Sequence, residues 1–72
     1  MTREEYGKLR RILRGHVTSA WIAYQESSAG EFVASEKTLA LYDRYWKRLQ
    51  RAARLLKCTP AQAVSLLGIR EA

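Results

Sequence analysis

The run Glu36-Lys37-Thr38-Leu39-Ala40-Leu41-Tyr42-Asp43-Arg44-Tyr45-Trp46-Lys47-Arg48-Leu49-Gln50-Arg51-Ala52-Ala53-Arg54-Leu55-Leu56-Lys57 decides the fold. Leu39, Tyr42, Trp46, Leu49, Ala53 and Leu56 recur at steps of three and four, the spacing that puts side chains on one face at ~3.6 residues per turn. Arg44, Lys47, Arg48, Arg51, Arg54 and Lys57 recur at the same steps on another face. The spacing predicts one amphipathic helix over residues 36–57, with an apolar stripe for packing and a basic stripe for water or a partner.

Ser35 is placed to cap this helix and Glu36 to begin it at the positive end of the helix dipole. Upstream, Ser27, Ser28, Ala29 and Gly30 interrupt the periodicity, and Gly30 can take the left-handed conformation that ends a helix. Phe32 and Val33 are too apolar for an idle linker and are expected to fold back over the open end of the core. A first helix is predicted over about residues 3–26. Thr2-Arg3-Glu4-Glu5 reads as a capping box, with Met1 and Tyr6 at the two staple positions. Its apolar stripe is Tyr6, Leu9, Leu13, Val17, Ala20 and Tyr24, widened by Ile12, His16 and Trp21. A short connection makes the two long helices antiparallel neighbours.

Downstream, Thr59 precedes Pro60 and is pushed out of the helical region, so the second helix stops near Cys58. Thr59-Pro60-Ala61-Gln62 starts another helix, with Thr as N-cap, Pro at the first position and Gln three after the cap. Ala63, Val64, Leu66 and Leu67 give it an apolar face. Gly68 ends it, and Ile69 is expected to touch Val64 in a Schellman arrangement. The reading is all-α: an antiparallel helical hairpin with a short third helix over about residues 60–67, in one domain spanning residues 1–72.

Composition is that of a foldable chain, 47% hydrophobic and 28% charged, with one Pro and four Gly. Seventy-two residues rarely bury enough apolar surface for comfortable stability alone. A homodimer is therefore expected, with Ile12, Val17 and Trp21 as its interface because the first helix is apolar over a wider arc than one neighbour covers. Cys58 is the only cysteine, which excludes a disulfide framework and points to a reducing, cytoplasmic setting. Met1 leads into a capped, charged helix rather than a signal peptide, and no apolar run approaches membrane-spanning length. His16 and Cys58 lack the companions that metal ligation or nucleophilic catalysis needs, so no cofactor, no metal site and no catalytic residue is expected.

The charge is unevenly spread. Residues 1–16 sum to +3, residues 17–43 to −3 and residues 44–72 to +6. In an antiparallel hairpin the two positive segments share one end, and the loop end is acidic. Arg outnumbers Lys nine to four, and the planar guanidinium fork suits recognition of carboxylate or phosphate better than mere solubility. Tyr45 is expected at the flank of the apolar stripe, beside Arg44 and Arg48, a composition enriched at interface hot spots.

Ala61-Gln62-Ala63-Val64-Ser65-Leu66-Leu67-Gly68-Ile69 resembles the first helix and turn of a helix-turn-helix. Only Arg70, Glu71 and Ala72 follow it, so the stretch is read as helix-ending chemistry and not as a groove reader. Over residues 9–56 the layout resembles small phage-encoded anti-activators, two-helix proteins that dimerise and silence a bacterial transcription regulator. The shared features are Trp21 near the end of the first helix, the Ser/Gly-containing linker and the aromatic turn Tyr42 to Trp46. This chain departs from them in its basic charge and its third helix. The resemblance implies that Tyr42, Tyr45 and Trp46 contact a protein partner.

The function expected is thus a non-enzymatic regulator that binds a partner protein through Tyr42, Tyr45, Trp46, Arg44, Arg48 and Arg51. The alternative is nucleic-acid binding through Lys8, Arg11, Arg14, Lys47, Arg48, Arg51, Arg54 and Lys57. No membrane partner is expected.

Overall fold

The structure, a computed structural model, describes residues 1–69; Arg70, Glu71 and Ala72, which contribute to the charge count above, lie outside the described residues. Three helices follow one another, α1 (Arg3–Ser28), α2 (Glu36–Leu56) and α3 (Pro60–Leu67). The chain is a rod of 45 × 17 × 16 Å. No strand is present among the described residues.

The caps follow local chemistry. Thr2, Ser35 and Thr59 each hold extended backbone and accept, through the hydroxyl, from the amide three residues on. The box at Thr59 is reciprocal, because Gln62 Oε1 takes the Thr59 amide at 2.9 Å. The one at Thr2 is not: its hydroxyl donates to Glu5 Oε1 at 3.1 Å, and Met1, 80% exposed, forms no staple. α1 runs two residues further than the Ser-rich stretch suggests, to Ser28, and Gly30 takes the left-handed conformation (φ 78°) just beyond its cap.

α2 and α3 both end in Schellman turns. Cys58 N donates to Ala53 O and Lys57 N to Arg54 O; Ile69 N donates to Val64 O and Gly68 N to Ser65 O. In each, one residue must be left-handed. Gly68 (φ 67°) does this without Cβ strain, whereas Lys57 (φ 56°) carries it as a non-glycine. The second turn buries Ile69, which closes the foot of the core.

The core corrects the rotation of α2. Its buried residues are Thr38, Tyr45, Leu49, Ala52, Ala53 and Leu56. Leu39, Tyr42 and Trp46, expected inside, are exposed by 57%, 45% and 39%. The stripe is shifted by one residue in the first half of the helix and converges on the expected one at Leu49. Two contacts hold it there. The Tyr45 ring lies 4.8 Å from that of Trp21, and the small Ala52 lets the backbones approach. At the hairpin, Thr38 is wholly buried yet satisfied. Its hydroxyl donates to Glu31 Oε1 (2.5 Å), accepts from Ser35 Oγ (3.1 Å) and shares a hydrogen bond with Ser27 Oγ (2.7 Å). This polar knot closes the open end of the hairpin, the task expected of Phe32 and Val33, which instead point outward with exposures of 106% and 84%.

Candidate functional site

Two hydrogen bonds between helices define the sides of the rod. Arg10 Nη2 donates to Leu66 O of α3 at 2.7 Å, and Arg48 Nη1 of α2 donates to His16 O at 3.0 Å. At ~100° per residue, Arg10 and His16 lie on either side of the inward line Leu13–Val17–Ala20. α3 therefore covers one flank of the α1–α2 groove, and Arg48 spans the other.

On the α3 flank, the eight residues of α3 cover only the foot of the groove. Above them the lane stays open and is walled by Trp21 and Tyr24 of α1 and by Leu39, Tyr42 and Trp46 of α2. The rings form a continuous set: Trp21 to Tyr24 at 5.3 Å, Tyr24 to Tyr42 at 5.1 Å and Tyr42 to Tyr45 at 6.2 Å. Offset and edge-on pairs of this kind hold aromatic side chains rigid. Where the lane meets the end of α3, an open cleft of about 450 Å³ is lined by Arg10, Arg11 and Arg14 together with Ser65 to Gly68. Arg10 is fixed by Leu66 O and lies 6.0 Å over the Tyr6 ring, and Arg11 Nε donates to Gly7 O at 3.5 Å.

The opposite flank has a different character. Lys37, Leu41, Arg44, Arg48, Arg51 and Leu55 follow one another at steps of four and three along α2. Across the groove lies Ile12 of α1, one turn before His16 and 68% exposed; Leu55 is 47% exposed. Residues 6–25 and 44–69 contain no acidic residue, so the middle of this flank is positive, with Glu5 at its foot two turns before Ile12 on the same helical line. At the apex Glu31 stays anionic, its carboxyl held below the ordinary range first by the hydrogen bond from Thr38 and then by those from Ser35.

The structure divides the residues that the sequence groups together. Tyr45, expected beside Arg44 and Arg48 as a surface anchor, is 1% exposed and belongs to the core. Tyr42 and Trp46 are on the surface, but on the α3 flank, away from Arg44, Arg48 and Arg51. Of the expected dimer interface, Val17 is fully buried within the single chain. Ile12 lies on the Arg flank and Trp21 on the lane, so the three form no common surface. The eight cations of the nucleic-acid alternative share one end of the rod without sharing a face. Arg11 and Arg14 line the cleft beside α3, and Arg48 and Arg51 lie on the far flank. Lys8 is exposed on α1, Lys47 and Arg54 on α2 and Lys57 at its C-cap, and Lys47 pairs with Asp43 at 2.9 Å. Leu39 and Leu55 are surface residues that sequence reasoning missed; Leu39 stands in the stripe one residue out of phase with the core, and Leu55 ends the line of Leu41, Arg44, Arg48 and Arg51.

A second cleft, of about 610 Å³, is lined by Lys57, Cys58, Ala61, Gln62, Ser65 and Leu66. Its lining includes no histidine or carboxylate beside Cys58. Among the described residues no three His, Cys, Asp or Glu side chains are placed to hold a metal ion, and no helix is long and apolar enough to cross a membrane. No family model, curated protein or solved structure matches the chain.

Proposed function

We propose that this chain is a non-enzymatic binding protein that modulates, by inhibition, a partner protein with an acidic surface, of the kind that the anti-activator resemblance implies. The Arg flank is the binding face. One observation carries the reading: Arg44, Arg48 and Arg51 share a flank with two exposed apolar side chains, Leu55 and Ile12, with Arg48 already held by His16 O at 3.0 Å. Arg around an apolar centre is the composition of a protein interface, and a guanidinium fixed in advance loses less entropy on binding a carboxylate. The cluster of positive charge along the middle of this flank disfavours pairing with its own copy and suits an acidic partner.

This positive charge also favours phosphate, which sustains nucleic-acid binding as a second reading. Ile12 and Leu55 separate the two, because a phosphate backbone gains nothing from them. Affinity capture of binding proteins from a nuclease-treated extract, with wild type, the neutral Ile12→Asn and the Arg48→Glu/Arg51→Glu double variant, tests the assignment. A protein retained by wild type and lost from both variants is expected. Retention that nuclease abolishes, or that Ile12→Asn leaves intact, would favour nucleic acid.

A further inference from the structure

We infer that the aromatic lane above α3 is occupied by the same lane of a second copy, in an antiparallel homodimer. This goes beyond the functional reading, which concerns the opposite flank. The lane has an apolar centre and unlike ends. Below it stand Arg10 and Arg14, in the cleft at the end of α3. Above it stands the apex, with Glu31 held anionic and Glu36 at the start of α2.

The two ends are equally far from the centre. Trp21 stands seven residues from Arg14 and seven from Ser28, the last residue of α1, which is ~10 Å each way at ~1.5 Å per residue. A twofold axis through the Trp21–Trp46 level therefore lays each lane on its twin. It also brings the acidic apex of each copy to the arginine cleft of the other. A self-complementary patch is what an isologous interface requires. Phe32 and Val33, fully exposed at the apex of the single chain, would then rest against the end of the partner's α3, beside its half-exposed Leu66. The lane continues the surface that α3 already covers, so the second copy extends an existing core.

Sedimentation equilibrium of the full chain at tens of micromolar tests this, with circular dichroism to report folding. Wild type should sediment at twice the 8.3 kDa chain mass. Trp46→Glu should be a folded monomer, and Leu39→Glu serves where Trp46→Glu fails to fold. Ile12→Glu, on the other flank, should remain dimeric. Arg14→Glu and Glu36→Lys should each weaken the dimer several-fold, and their combination should restore it. A folded wild-type monomer, dimers unaffected by both lane variants, or failure of the combined reversal to restore association would overturn the inference. None of these measurements involves the partner of the Arg flank, so its failure and that of the functional reading are seen separately.

Discussion

The ring of Tyr45 lies 4.8 Å from that of Trp21, tilted by 47°, and this contact sets which side of α2 faces α1. With Tyr45 inside, Tyr42 and Trp46 are turned toward the α3 flank and Arg48 toward the other. The two surfaces of the rod follow from that one packing decision.

The rotation has a direct consequence for stability. Tyr45→Ala should cost about 3–5 kcal/mol and Leu49→Ala about 2–5 kcal/mol, the range for truncating a packed interior side chain. Tyr42→Ala, which loses ring contacts at 5.1 Å to Tyr24 and 6.2 Å to Tyr45 from a side chain already 45% exposed, should cost the isolated chain less, about 1–2 kcal/mol. Urea unfolding at low protein concentration measures all three. Equal losses at positions 42 and 45 would mean that the stripe is turned the other way.

The hairpin knot is pH-sensitive with a defined sign. Folding lowers the Glu31 pKa below its ordinary 4.5, so the native state binds its proton less readily than the unfolded state does. The contribution is present above the unfolded pKa and lost as pH falls through the folded value. Thr38→Val, which keeps the shape and removes the hydroxyl, should cost about 1–3 kcal/mol at neutral pH. It should also flatten the change in stability below the ordinary carboxylate range. Unfolding curves at several pH values check both effects, and an unchanged acid limb in Thr38→Val would remove Thr38 as the cause.

Among the described residues, Lys57 is the one non-glycine with left-handed backbone. Its φ of 56° suits glycine, and Lys57→Gly should raise stability by about 1 kcal/mol. Thermal unfolding reads the gain. A loss would show that the Lys57 side chain contributes more than its backbone conformation costs.

Helix identity and most boundaries were legible in the sequence because the caps are local; the end of α1, two residues beyond the expected one, was not. Thr59-Pro60 with Gln62, Ser35 with Glu36, and Gly68 each act within a turn. The inward face of α2 was not legible, because Leu39-Tyr42-Trp46 and Leu41-Tyr45-Leu49 are both apolar stripes of helical period. What separates them is tertiary. Trp21 meets Tyr45, Ala52 permits close approach, and Thr38 is buried because Ser27, Ser35 and Glu31 satisfy its hydroxyl. A polar residue in the core stripe is invisible to a search for apolar periodicity. The basic residues were legible as a pole at one end of the rod. Their division between two flanks depends on where α3 lies.

The central claim is that the Arg flank takes an acidic protein and not a phosphate backbone, and a direct titration tests it. A labelled 20-base-pair duplex of mixed sequence is titrated with the protein at ~0.15 M salt and followed by fluorescence anisotropy. Only non-specific binding is expected, with Kd weaker than ~1 µM, falling steeply with salt and unchanged by the neutral Ile12→Asn. Binding tighter than ~10 nM at that salt, abolished by Arg48→Glu/Arg51→Glu, would contradict it.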